Sequence, residues 1–171
     1  NLGAYLYSST AGPPQRMMAM APGSYQIQNC HVEVVAVFTN TTPTGPYRGA
    51  GRPESVLNIE RLIDKAAKEL GLDRLAIRRK NFIRPDQFPY QTPVALVYDT
   101  GDYGASLDKA LVHADYAGFA KRRAESESRG KRRGIGFSCY IEACGLAPSQ
   151  LAIQLGAGVG LYESGEVRVN P

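Results

Sequence analysis

The sequence predicts an α+β fold. Three observations carry that expectation: runs of β-branched and aromatic residues that suit strands, three or four segments with helical spacing, and no regular strand–helix alternation. A mixed sheet with several helices is the architecture expected. The 171 residues suit one domain or a piece of a larger one. A hydrophobic fraction of 43% is enough for a packed core and argues against disorder.

In chain order, residues 1–23 read as irregular. Tyr5 and Tyr7 suit a short strand, while Gly12-Pro13-Pro14 and Pro22-Gly23 punctuate turns. Met17, Met18 and Met20 between them read as gap-filling core. Tyr25, Ile27, Val32, Val34, Val35, Ala36, Val37 and Phe38 then predict one strand or two over 24–39. A polar stretch through Pro43 delivers the chain to Thr44-Gly45-Pro46-Tyr47-Arg48-Gly49-Ala50-Gly51-Arg52-Pro53-Glu54.

The helix expected after this loop is the best-patterned element. Val56, Ile59, Ile63, Ala66 and Leu70 recur at helical spacing, and Leu62 widens the stripe. Glu60, Arg61, Asp64, Lys65, Lys68 and Glu69 are assigned to the solvent face, and Gly71 to the C-terminal cap. Asp73 reads as the N-cap of a short helix to Asn81, with Leu75 and Ile77 inside. Pro85, Pro89 and Pro93 make 82–94 an extended connector, followed by a strand at Val94–Tyr98. Asp102 caps a helix through Val112, and Asp115 caps another that reaches the charged stretch 121–129. Further strands are expected at Ile135–Cys144, Leu151–Leu155, Gly158–Tyr162 and Val167–Val169, the last two joined by a hairpin turn at Glu163–Glu166.

Several function classes fall away. Cys30, Cys139 and Cys144 are odd in number and lack CxxC spacing, which argues against a disulfide framework and a zinc site. His31 and His113 are too few and too scattered for a metal cluster or a nucleophile–base pair, and both read as structural. No metal ligands and no catalytic residues are therefore assigned in this chain. The net charge of +4 owes much to Arg78-Arg79-Lys80 and Lys131-Arg132-Arg133, which lack interleaved aromatics and read as solvated faces rather than nucleic-acid contacts. No apolar run is long enough to span a bilayer and no signal peptide is visible, so a reduced, cytoplasmic setting is expected. The loop lacks the Gly-Lys-Ser/Thr ending of a P-loop. Gly156-Ala157-Gly158-Val159-Gly160 precedes no helix and reads as strand and bulge glycine. Asp99 and Asp102 read as turn and cap residues.

The loop itself supports two readings. Its glycines permit positive φ and close approach, its arginines offer planar donor forks, and Pro53 and Glu54 suit a helix N-terminus. Both a tight surface turn and a turn that holds an anionic ligand satisfy that pattern.

A resemblance separates them. Pro46-Tyr47-Arg48-Gly49-Ala50-Gly51-Arg52-Pro53-Glu54 resembles the active-site loop in the large subunit of molybdenum hydroxylases, the xanthine dehydrogenase, aldehyde oxidase and aerobic carbon monoxide dehydrogenase family. The Tyr-Arg-Gly-Ala-Gly-Arg form is most similar to carbon-monoxide-dehydrogenase-like members. Leu57–Arg79, Phe88–Pro93, Tyr98–Tyr103, Arg133–Phe137 and Tyr140–Glu142 fit the same pattern, so the resemblance covers nearly the whole chain. It implies that Arg48 lies at a molybdenum–molybdopterin site and that Gly49, Ala50 and Gly51 let cofactor and substrate approach. Ala50, Phe137 and Ser138 are implied, more loosely, as substrate-pocket residues. The implied chemistry is oxidative hydroxylation of an electron-poor carbon, with electrons leaving through 2Fe–2S clusters and FAD on an iron–sulfur small subunit and an FAD medium subunit, or equivalent domains, in a higher-order dimer of the complex.

Departures narrow the expectation. Copper-dependent members carry a cysteine where this chain has Gly49, and purine-oxidising members carry a phenylalanine where it has Ala50. An aldehyde or an N-heterocycle is the expected substrate. The family's Gly-Gln-Gly-His cofactor motif and catalytic glutamate have no match, so the 171 residues alone are expected to be inactive. A start at Asn1-Leu2-Gly3 and an end at Asn170-Pro171 read as truncation of a molybdopterin-binding region at both ends. The alternative is a non-catalytic scaffold or interaction domain that keeps the fold.

Overall fold

Asp73 and Asp102 start two helices where the sequence places them. The Asp73 carboxylate accepts the backbone N–H of Leu75 and Ala76 at 2.8 Å each, and that of Asp102 accepts Ala105 N–H at 2.9 Å. Each satisfies donors that a helix N-terminus otherwise leaves unpaired. A computed structural model of the chain describes residues 1–6, 10–142 and 166–169. Its helices are α1 (Gly12–Ala19), α2 (Arg52–Glu69), α3 (Arg74–Asn81), α4 (Tyr103–His113) and α5 (Phe119–Glu127). Short 3-10 turns occupy Pro85–Gln87 and Tyr116–Gly118. Strands β1 (Tyr90–Gln91) and β2 (Val97–Tyr98) pair antiparallel, with Tyr90 opposite Tyr98 and Gln91 opposite Val97. The class is α+β.

The chain divides into two compact units, Asn1–Tyr140 and Ile141–Pro171. All five helices and the sheet belong to the first. In the second, the described residues 141, 142 and 166–169 have irregular backbone, including the predicted strand Val167–Val169. The expectations for Cys144, Leu151–Leu155, the 156–160 glycines and Gly158–Tyr162, and all but the last residue of the 163–166 hairpin turn, lie outside the described residues.

Several expectations are corrected. Residues 12–19 form a helix, because Pro13 and Pro14 occupy its first turn, where a missing N–H and a fixed φ favour helix rather than interrupt it. The expected strand at 24–39 is irregular backbone without a ladder. Among the described residues it makes two single bridges, Tyr25 to Phe82 and Phe38 to Gly3. Val35 and Phe38 stay exposed there, since β-propensity without a partner strand yields no sheet. The mixed sheet therefore reduces, among the described residues, to the β1–β2 pair. Ile135–Glu142 likewise pairs with no strand among the described residues.

Within the first unit, Tyr25, Leu75, Phe82 and Leu107 form the buried core, flanked by Ile59 and Ile63 of α2 and by Phe137. Tyr25 and Phe82 stack with centroids 5.5 Å apart. The predicted stripe of α2 turns out shifted. Ser55, Glu60 and Ala67 are its buried residues, while Leu62 and Leu70 are exposed. Gly71 ends α2 as expected, at φ +65°, with Gly71 N–H on Lys68 O (3.4 Å) and Leu72 N–H on Ala67 O (2.8 Å). That is a Schellman closure.

Candidate functional site

The Gly/Arg loop opens directly into α2. Gly51 is the N-cap at φ +100°, Pro53 lies in the first turn, and Glu54 brings negative charge to the positive end of the helix dipole. Three successive residues take positive φ: Gly49 at +77°, Ala50 at +49° and Gly51 at +100°. For Ala50 this backbone costs about 1–2 kcal/mol. Arg52 closes the turn on itself. Its backbone N–H reaches Gly49 O at 3.1 Å and its Nη1 reaches the same oxygen at 3.3 Å.

The glycines answer first to the turn's own packing. A Cβ on Gly51 would lie 2.0 Å from Pro13 O in α1, and one on Gly49 would lie 2.6 Å from Pro53 Cδ. No ligand is needed to explain either glycine. What the internal packing leaves unexplained is the donor set. Among the described residues, no acceptor takes the backbone N–H of Gly49, Ala50 or Gly51. Arg48 is exposed beside them, its guanidinium carbon 5.9 Å from the ring centroid of Tyr47, which is 95% exposed. Three amides without acceptors and an exposed guanidinium fit an oxygen-rich anionic group.

A buried polar network ties α2, and with it the loop, to α3. Arg78 is fully buried, with Nε and Nη2 on Glu60 Oε2 at 3.1 and 2.9 Å, and Nη1 on Asp64 Oδ1 at 2.9 Å. Tyr25 donates its hydroxyl to the other Glu60 oxygen. Burial, then the hydrogen bond to Glu60 and its charge, push the Tyr25 phenol well up. Arg78 is held charged: burial alone would lower its pKa, but the hydrogen bonds it donates to Glu60 and Asp64 more than offset it. Cys139, at the edge of this cluster, has its thiol raised by burial and by the Glu60 charge. Glu60, expected on the solvent face of α2, and Arg78, expected in a solvated run, are both buried. The missed signal is spacing. Val56, Glu60, Ile63 and Ala67 share one stripe, as do Leu75, Arg78 and Phe82.

The structure places the other predicted residues elsewhere. Phe137 packs edge-on to Tyr116 (5.5 Å) and under the Arg74 guanidinium (5.2 Å), against the core cluster. Ser138 is exposed. No described contact joins either of them to Ala50.

Comparison with known proteins extends this geometry. Residues 1–82 and 109–171 each match a family described as a molybdopterin cofactor-binding domain. The chain is 40% identical over 164 residues to the carbon monoxide dehydrogenase large chain of Hydrogenophaga pseudoflava, covering 92% of this chain and 20% of that one. It is 32% identical over 141 residues to the nicotine 6-hydroxylase large subunit of Paenarthrobacter nicotinovorans, covering 78% and 17%. Among solved structures, reconstituted CO dehydrogenase from Oligotropha carboxidovorans superposes with a TM-score of 0.75 at 34% identity, covering 91% of this chain and 20% of that one. The chain thus spans about a fifth of the length of the relatives it matches. Two stretches that together cover most of the chain show that it belongs to the molybdopterin cofactor-binding domain family, and it is similar to carbon monoxide dehydrogenase large chains.

Proposed function

We propose that the chain lends its Arg48–Gly51 turn to a molybdopterin-type molybdenum cofactor site in an oxidoreductase that hydroxylates a carbon of an aldehyde or an N-heterocycle. The observation that carries this reading is the donor set: three left-handed residues whose amides meet no acceptor among the described residues, beside an exposed Arg48. When bound, the cofactor supplies two-electron oxidation of the substrate carbon. Arg48 holds negative charge at the turn, and the amides of Gly49 and Ala50 fix the orientation of the oxygens they meet. Arg52 keeps the turn closed by gripping Gly49 O, and the Glu60–Arg78 pair keeps α2 beneath it. Pre-set donors of this kind need no rearrangement when charge develops.

Two features favour a heterocycle or aldehyde over carbon monoxide. Position 49 carries no thiol to hold copper, and a side chain there would run into Pro53. A relative named as a nicotine 6-hydroxylase large subunit is 32% identical over 141 residues. Electrons would leave through a 2Fe–2S subunit and an FAD subunit, in a cytoplasmic assembly that dimerises, and this segment alone would not turn over. Among the described residues no helix is long and apolar enough to cross a membrane. Ala50 is the wall nearest the turn from which a substrate pocket would be built, with Phe137 and Ser138 as further candidates.

The test is a substrate panel on the full-length protein with its partner subunits. Turnover of benzaldehyde or quinoline, with none of carbon monoxide, is expected. Turnover of carbon monoxide alone overturns the substrate assignment.

A further inference from the structure

The end of α5 builds a second feature that the cofactor site does not use. Gly130, at φ +68°, reverses the chain after α5, and Lys131 N–H bonds back to Ser126 O at 2.9 Å. Residues 131–134 are thereby laid beside the last turn of the helix. Arg123, Glu127, Arg132, Arg133 and Gly134 line a cleft of about 530 Å³ there. That volume lies in the range of small-molecule sites, roughly 300–1,000 Å³.

The arginines are held by their inner nitrogens. Arg133 Nε donates to Ser126 Oγ at 3.0 Å, and Ser126 is buried, its hydroxyl donating to Arg122 O at 2.9 Å. Arg123 Nε engages Glu127 Oε1 at 3.0 Å. Both therefore keep their terminal amino groups for another partner. Among the described residues no carboxylate pairs with Arg132 or Arg133. The guanidiniums are not needed to satisfy the end of α5 either: backbone N–H groups of Ser128, Arg129, Gly130 and Lys131 already bond to the carbonyls of Ala124, Ser126 and Glu127. Three arginines facing one carboxylate leave an excess that a doubly charged phosphate neutralises and a single carboxylate does not. A Cβ at Gly134 would meet nothing within 4 Å, so that wall is open to a ligand.

We propose that this cleft binds a small phosphate-bearing anion, held by the terminal amino groups of Arg132, Arg133 and Arg123 and opposed by the charge of Glu127. The site is separate from the cofactor turn and does not depend on the reaction proposed above.

The test is calorimetric titration of pyrophosphate into the full-length holoprotein, with inorganic phosphate and citrate at matched ionic strength. Saturable binding of pyrophosphate, weaker binding of phosphate and little of citrate are expected. Arg132→Ala with Arg133→Ala should weaken pyrophosphate binding by about tenfold or more, and Glu127→Gln should tighten it about threefold. Arg132→Ala alone, at a residue with no ion pair among the described residues, should weaken binding without moving the thermal midpoint, which separates ligation from folding. Absent saturable binding, citrate binding of equal strength, or indifference to Arg132→Ala and to Glu127→Gln would each overturn the site.

Discussion

Arg78 Nη2 lies 2.9 Å from Glu60 Oε2, with Arg78 fully buried and Glu60 6% exposed. Together with the Arg78–Asp64 bond, this pair ties α3 to α2, which begins at the residue after the turn that presents Arg48. Removing one partner leaves a buried charge alone. Arg78→Met should therefore destabilise the protein by roughly 3 to 5 kcal/mol, and a Glu60→Leu/Arg78→Met double variant should recover part of that loss. Urea unfolding of the two variants beside wild type checks both statements. A loss for Arg78→Met of the size typical of surface ion pairs would show that the pair does not anchor α2.

Gly51 is fixed by α1. Gly51→Ala forces a methyl into Pro13 O and strains the left-handed N-cap, so it should destabilise by about 2 kcal/mol or more. Gly71 is the contrast: it also has positive φ, but a Cβ there meets nothing within 4 Å. Gly71→Ala should lose only about 1 kcal/mol, from backbone strain. Denaturation midpoints that rank the two the other way would contradict the contact between the turn and α1.

The Tyr25 phenol titrates above its ordinary range, because burial and then Glu60 disfavour the phenolate. A group whose folded pKa is raised contributes stability that is full below the unfolded value and lost as pH rises through the folded one. Stability should thus fall as pH climbs past about 10, and Tyr25→Phe should flatten that fall. Thermal midpoints of both proteins across alkaline pH measure the difference. Equal slopes would remove Tyr25 as the cause.

Burial also raises the Cys139 thiol, with the Glu60 charge adding to it. Less thiolate at neutral pH means slow alkylation. Iodoacetamide labelling followed by peptide mass spectrometry should show Cys139 reacting more slowly in the native protein than after unfolding in urea. Equal rates would place the thiol in open solvent.

Much of this architecture was legible because it is local. Asp73, Asp102 and Gly71 act on backbone groups within a few residues, so cap chemistry located α3, α4 and the end of α2. The passage from Arg52 into α2 was legible for the same reason. The buried charges were not, because Glu60 and Arg78 pair across 18 residues and hydropathy alone puts both in water. Only their position on the apolar stripe gives them away. The run at 24–39 failed for a different reason: a strand exists by pairing, and no partner strand faces it among the described residues. Pro13 and Pro14 read as turn residues, yet the same fixed φ starts a helix. At the site, the glycines were legible as a positive-φ turn, but the contact that makes Gly51 necessary comes from α1, which the sequence did not reveal.

The most direct measurement is molybdenum per protein in the natively purified full-length complex, wild type beside Arg48→Ala. Near-stoichiometric molybdenum in wild type, falling in the variant or retained there with loss of hydroxylase activity, is the expected result for a turn that holds the cofactor. Wild-type protein without molybdenum, from cells that make the cofactor, contradicts it, and so does a variant that keeps both metal and full activity.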